Sequence, residues 1–310
     1  MEGNFTFTGQ FSGPAVAAVL TFEMILALIA NGLVLSITLY QRKSLKQSST
    51  IFFTSLILAH LVLNLLYLPF TIIALAAGEW IFGNTDEEKI ATCTFTAFLY
   101  SYTIRIIFMT LAAISFDRFL FIVKPYLHKW FMRPWVALTL TIAIWILSAV
   151  LSSAPFYGLN EYVYDDQLLL CYQRPNSTIS FIFYVLFPCV TTAIIIVTSL
   201  WTFCFAGSFF KDQSVIAGES VYASKKKRLF GVFGSMLFIY GICIVPGLVL
   251  RSLQEFIDVP PKLSISSMTC FLFITIASPI IQSYFRPEIK SVLASRCPLL
   301  FTCACCKFIH

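Results

Sequence analysis

Charge is what this sequence has least of. Only 12% of its 310 residues are Asp, Glu, Lys or Arg, 58% are hydrophobic, and the mean hydropathy is +0.85. Soluble domains carry about a quarter charged residues, so a soluble bundle of this composition would have too little polar surface. Histidine is scarcer still, at three, and no His or carboxylate accompanies the cysteines at ligand spacing, so no metal site is expected. No nucleophile–base set appears, which speaks against an enzyme, and no cofactor is implied. There is no internal repeat, and few charges fall in mid-span, which disfavours a transporter. The first 14 residues are polar and lack a basic start. No cleavable signal peptide is therefore expected, and the first span should act as its own anchor.

Long apolar runs are what the sequence has instead. A helix needs about 20 mainly apolar residues to cross the bilayer core, and seven stretches qualify: 15–40, 50–78, 93–116, 135–156, 179–207, 229–253 and 263–284. The expected fold is all-α, a seven-transmembrane helix bundle. Residues 1–14 form an outer N-terminus, 15–284 the membrane domain and 285–310 the tail. From Phe285 to Leu293, apolar and charged residues alternate at helical spacing, which predicts a short amphipathic helix on the membrane surface after span seven. The third inner loop is expected over 208–226.

Charge placement orients the chain. Sixteen of the 21 Lys and Arg residues share one side, among them Arg42, Lys43, Lys46, Lys124, Lys129, Arg133, Lys211 and the cluster Lys225 to Arg228. The positive-inside bias puts that side in the cytoplasm and the N-terminus outside, at the plasma membrane. The net charge of +6 then reflects topology and an anionic inner leaflet, with membrane lipids as partners and no nucleic acid. Two glycosylation sequons, at Asn4 and Asn176, both fall on the outer side.

The cysteines divide by location. Cys93 and Cys171 lie on the oxidising side and are disulfide candidates that would pin the long loop at about 157–178 over the bundle mouth. Cys297, Cys303, Cys305 and Cys306 sit beside the tail helix, where palmitoylation and free thiols are the two readings. Cys189, Cys204, Cys243 and Cys270 are expected to be small buried packing residues.

The chain's landmarks together resemble the rhodopsin-like (class A) G-protein-coupled receptors. Span three ends in Asp117-Arg118-Phe119, and Cys93 precedes Arg118 by 25 residues, the family's spacing from disulfide cysteine to G-protein-facing arginine. Asn31 with Val34 is similar to the span-one Asn-x-x-Val, and Trp80-Ile81-Phe82-Gly83 to the family's Trp-x-Phe-Gly. Trp145, Pro155, Pro188, Pro246 and Pro279 match its fourth- to seventh-span landmarks. The resemblance implies an extracellular ligand, a heterotrimeric G protein engaged at Asp117, Arg118 and Phe119, and helix pivots at Pro188, Pro246 and Pro279.

There are departures. His60 stands where the family has a span-two Asp, so the sodium site that the resemblance implies lacks its acid. Cys243-Ile244-Val245-Pro246 lacks the toggle tryptophan, and Ser278-Pro279-Ile280-Ile281-Gln282 replaces Asn-Pro-x-x-Tyr. No acid is seen at the inner end of span six, which leaves Asp117 as the nearest evident partner of Arg118. Raised basal signalling is one expectation; a ligand-sequestering or accessory receptor that does not couple is the other. Glu23, alone in span one, is a candidate partner for His60.

Tyr100 stands where amine receptors carry an Asp, and span seven has no Lys for retinal. Arg105 is a cation near mid-span, and such residues are rare and usually functional. It lies 13 residues before Arg118, about 140° away round the helix, towards spans four and five. Ligand anion contact, an internal hydrogen-bonded role and snorkelling to the surface all stand as readings. Arg251, near the outer end of span six, resembles the basic residue with which nucleotide and hydroxycarboxylic-acid receptors hold anions; a salt bridge to Glu255 is its alternative. With Ile104 and Met268 as further contacts, an anionic small molecule or lipid acid is the expected ligand. Against it stands an acidic, aromatic rim (Glu79, Asp86, Glu87, Glu88, Glu161, Asp165 and Asp166 among Tyr157, Tyr162 and Tyr164), which suits either a cationic peptide or a plain solvated surface.

Overall fold

Proline, glycine and side-chain caps set where the helices begin, bend and end. A computed structural model describes residues 5–40, 47–217, 240–254 and 257–284; for residues 183, 209–217, 251 and 284 it describes the backbone alone. Six helices are long and apolar enough to cross a membrane, and Tyr240–Leu250 is a shorter apolar helix in the sixth position. Span one is α1 (Gly13–Tyr40), and span two is α2 (Ser48–Val62) continued by α3 (Leu68–Ala77). Span three is α4 (Asp86–Val123), followed by the short inner α5 (Pro125–Phe131). Span four is α6 (Pro134–Ser152), and span five is α7 (Thr178–Ala217). Span six contains α8 (Val245–Leu253); span seven is α9 (Pro261–Leu272) and α10 (Ile274–Tyr284).

Three features depart from the sequence reading. The outer loop after span four is an antiparallel hairpin, β1 (Asn160–Asp165) with β2 (Leu170–Pro175), and not irregular chain. The expected third inner loop begins inside α7, which continues as helix to Ala217. Cys189 and Cys204 are exposed on α7 and not buried; among the four only Cys243 is fully buried. The predicted tail helix with Cys297, Cys303, Cys305 and Cys306, and also Asn4, Arg42, Lys43, Lys46, Lys225 to Arg228 and Glu255, lie outside the described residues.

In hydrocarbon every backbone polar group must be satisfied within the protein. Proline in a helix removes the N–H that would serve the carbonyl four residues back. Pro279 thereby frees the carbonyl of Thr275, and the buried Asn31 amide donates to it at 2.9 Å, joining span one to span seven. Pro246 frees the carbonyl of Ile242, which lies 3.7 Å from the thiol of Cys270 in span seven. Pro69 follows a π-helical segment, Leu63–Tyr67, whose wider turn makes room for the ring next to the carbonyl of Leu65. That extra residue also resets the face of span two, so that Tyr67 is turned to the interior at 2% exposure. Trp145 donates to Ser55 Oγ at 2.8 Å and ties span four to span two. α4 is the central rod, packed against α2, α6, α7 and the hairpin.

The outer end is roofed. Cys93 at the top of α4 and Cys171 on β2 form a disulfide. Trp80 is buried, and its indole donates to Thr92 Oγ at 3.0 Å. Residues ahead of α1 cross the mouth as a strap. Trp80 N donates to Phe5 O at 3.0 Å, Phe7 N to Gly78 O at 2.9 Å and Thr8 N to Asp166 O at 3.1 Å. The hairpin turn holds Leu169 with φ 54° and no exposed surface. A left-handed Leu is costly and persists only where its surroundings over-determine it.

Candidate functional site

Beneath that roof lies a cavity of about 610 Å³. Tyr100, Ile104 and Arg105 of α4 and Met268 of α9 line it, four of the six contacts expected from sequence. The other two are not placed: the side chain of Arg251 and all of Glu255 lie outside what the structure describes. The floor is apolar. Ile244 occupies the position of the missing tryptophan, and Phe108 and Phe271 stack beside it with ring centroids 6.1 Å apart. Tyr67 and Tyr100 pair at 4.9 Å on the side facing span two.

Among the described residues Arg105 is the one cation on this lining. It turns towards α6 and the hairpin, where its acceptors are Ser152 Oγ at 2.8 Å, Gln173 Oε1 at 2.9 Å and Ser101 O at 3.2 Å. All three are neutral. The guanidinium has five N–H donors, and among the described residues no carboxylate forms an ion pair with it. Tyr162, on the hairpin above, donates to Ser152 O at 2.5 Å. Burial pushes its phenol up to about 12, with the nearby positive charge of Arg105 opposing. Ser152 and Gln173 were missed in the sequence because both acceptors come from distant segments that only the fold brings to Arg105.

The acidic rim is largely engaged in local structure. Thr85 caps α4 by accepting from Glu88 N at 3.2 Å, and Glu88 Oε2 accepts from Asn84 N at 2.7 Å. Asp86, Glu87 and Glu88 fill the first turn, where the helix dipole favours anions. Asp165 Oδ1 accepts from the backbone of Gln167 and Leu168 and so shapes the hairpin turn; Asp166 Oδ2 accepts from Thr8. Asn176 is exposed, and its amide donates to Gly158 O at 2.9 Å.

At the opposite end of α4, Asp117 is 2% exposed and accepts from Ser48 Oγ at 2.8 Å. His128 Nε2, on α5, lies 3.1 Å from the same carboxylate oxygen. The sequence reading named Arg118 for this acid and missed both partners, which arrive from α2 and α5. Arg118 is half-buried beside it, and Phe119 packs edge-on against Trp201 of α7 at 5.5 Å.

In the middle of the bundle His60 has no exposed surface, and its Nδ1 lies 3.2 Å from Asn31 Oδ1. Its observed partner is thus Asn31; among the described residues Glu23 Oε2 has no hydrogen-bond partner. An imidazole and amides supply no anionic oxygen here, so the set does not fit a sodium ion.

The sequence profile of the family described as "7 transmembrane receptor (rhodopsin family)" matches residues 30–287. The chain belongs to the rhodopsin family of seven-transmembrane receptors. It is 28% identical to G-protein coupled receptor 161 of Mus musculus over 74% of its own length and 41% of that receptor's, so it spans less than half of that relative. It is 23% identical to the pyroglutamylated RF-amide peptide receptor of Rattus norvegicus, covering 89% of this chain and 67% of that one. Squid rhodopsin has the same fold, with a TM-score of 0.75 at 17% identity, over 96% of this chain and 89% of the rhodopsin. The chain is therefore a multi-pass membrane protein whose family and fold are those of receptors and not of enzymes.

Proposed function

We propose that this receptor passes the binding of an extracellular anionic small molecule or lipid acid to a heterotrimeric G protein, from the plasma membrane with its N-terminus outside. The carrying observation is Arg105, a cation on a mostly apolar cavity wall with only neutral acceptors among the described residues. A ligand carboxylate or phosphate supplies the missing charge, and Tyr100, Ile104 and Met268 take its apolar body. Arg251 and Glu255 remain candidate contacts at the outer end of span six. Ligand binding shifts a pre-existing equilibrium, with Pro188, Pro246 and Pro279 as pivots and Asp117, Arg118 and Phe119 facing the G protein. Glycans at Asn4 and Asn176, and acylation of Cys297, Cys303, Cys305 or Cys306, belong to the same orientation.

A second reading is favoured by one comparison. The relative aligned over most of this chain is named for an RF-amide peptide, and a cationic peptide would suit the acidic rim. The rim's local engagements weigh against it, because Glu88, Asp165 and Asp166 already accept hydrogen bonds within the fold. The accessory, non-coupling receptor is the third outcome.

G-protein recruitment separates all three, with acidic amphiphiles and amidated cationic peptides run side by side. The proposal expects acids to drive recruitment, Arg118→Ala to abolish it, and Arg105→Gln with Arg251→Gln to abolish the response at unchanged surface expression. A response to peptides alone sinks the anion reading; silence of the wild type to every ligand, at the basal level of Arg118→Ala, leaves the accessory reading.

A further inference from the structure

Entry to the cavity from directly above is obstructed. The strap from Phe5 to Thr8, the buried Leu169 and the Cys93–Cys171 disulfide cover its outer end. On the side of spans six and seven, Gln254 Nε2 donates to Ser264 Oγ at 2.8 Å across the two helix ends.

The flank between spans four and five is different. α6 and α7 hardly touch each other, and each packs on α4 instead. The outer lip of this gap is tied, since Asn176 donates to Gly158 O and Ser180 Oγ to Leu159 O. At the lip two cavity-lining side chains are largely open to the surroundings, Leu159 at 59% and Ile179 at 69% exposure. Phe156, in the turn after α6, and Ile182, in the first turns of α7, are more than half exposed as well. Ile179 and Ile182 fall within span five, where exposed apolar side chains suit lipid better than water. Just inside the gap, Arg105 is bonded to Ser152, the last residue of α6.

We infer that the ligand is a single-chain amphiphile with one anionic head, and that it enters sideways from the outer leaflet between α6 and α7, past Leu159 and Ile179. This rests on the anion reading above and adds the route and the membrane origin of the ligand. The head meets Arg105 at the threshold, and the chain runs over the floor of Phe108, Ile244 and Phe271. A fatty carboxylate and a lysophosphatidate share this chemistry. A short, water-soluble acid does not, because it cannot approach through hydrocarbon.

The test uses the full chain in nanodiscs of neutral phosphatidylcholine, with diazirine-bearing palmitate in one arm and diazirine-bearing lysophosphatidate in the other. Labelling of the cavity wall is followed over time with unlabelled palmitate or butyrate as competitor. The inference expects cavity labelling in at least one arm, competition by palmitate and none by butyrate. Ile179→Trp slows labelling at least five-fold at the same final yield. Ile179→Ala and Leu159→Ala quicken it, which keeps the test open should the Trp variant fold poorly. The arm with the higher yield identifies the head group. Rates that ignore all three variants, while Arg105→Gln still lowers the yield, overturn the route and leave the anion site standing. Yields that ignore Arg105→Gln overturn both, and so does labelling no greater with the active probe than in the presence of competing palmitate.

Discussion

Arg105, midway along α4 on its cavity side, and Asp117, near the inner end of the same helix, each carry a charge in a partly desolvated place, and they handle it differently. On the outer, cavity side Arg105 is met by a serine, a glutamine and a backbone carbonyl, all neutral. At the inner end Asp117 is met by a serine hydroxyl and by an imidazole that can itself carry a proton. A charge taken out of water is tolerated when it is paired and hydrogen-bonded, and is costly when it is not. The inner end supplies Asp117 with a hydroxyl donor and an imidazole from within the chain; the cavity side leaves the charge of Arg105 to something that arrives. The same helix thus has a receiving side and a holding end. Each prediction below changes one of them.

The largest effect is expected at the receiving side. Gln173→Leu removes an acceptor from Arg105, and a hydrogen bond to a charged group contributes about 2 kcal/mol, or about 30-fold in the folding equilibrium. The melting temperature of purified receptor should fall and should be regained more strongly with saturating palmitate than in the wild type, because the anion replaces the lost acceptor. Equal ligand-induced shifts in both proteins would mean that Arg105 needs nothing from outside, and the contrast between the two would disappear.

Next comes the holding end. Asp117→Asn keeps an acceptor for Ser48 but loses the charge that faces His128. A coupling free energy of about 1.4 kcal/mol translates into roughly ten-fold higher basal G-protein recruitment. Basal recruitment that stays at the level of mock-transfected cells would show that this acid does not hold the resting arrangement. Ser48→Ala tests the same end more gently, since it removes one hydroxyl donor and leaves the imidazole. About 1 kcal/mol, or five-fold in basal recruitment, is the expected outcome, smaller than that of Asp117→Asn in the same assay. If the order is reversed, α2 and not α5 is the main tether.

The difference between the two also explains what the sequence could reveal. The seven apolar runs, the Cys93–Cys171 pairing and the cation at position 105 were legible because each is a local signal: a length, a pair of thiols on one side of the membrane, a charge where none is cheap. Partners were not legible. Gln173 lies 68 residues from Arg105, and Ser48 lies 69 from Asp117, and nothing in either segment marks it as an acceptor or donor for the other. His128 escaped notice because α5 is a seven-residue helix that starts at Pro125, too short to leave a periodic pattern. The hairpin was read as an acidic loop, since Asn160 to Asp165 mixes charge with tyrosine; what makes it a strand is its ladder with Leu170 to Pro175, pinned at Cys171. The extra residue of the π segment before Pro69 is likewise a response to proline's missing donor that apolar periodicity does not record.

The smallest effect separates support from contact at the receiving side. Tyr162 reaches neither the cavity wall nor Arg105 by a hydrogen bond; it donates to the carbonyl of Ser152, whose hydroxyl in turn accepts from Arg105. Tyr162→Phe removes one neutral hydrogen bond at the edge of the membrane, worth about 0.6 kcal/mol, so less than a three-fold loss of potency is expected for the acidic ligand. Its pH behaviour follows from the sign of the shift. The folded state holds the phenol proton more tightly than the unfolded chain, so the stabilisation is complete below the ordinary tyrosine range near 10 and is lost as pH climbs through about 12. The difference in melting temperature between wild type and Tyr162→Phe should therefore stay constant from about pH 6 to about pH 9. A difference that fades inside that window would mean that the hydroxyl shares its proton with a more acidic neighbour. A potency loss as large as that of Arg105→Gln would make Tyr162 part of the anion's own grip, and the receiving side would then be a two-residue site.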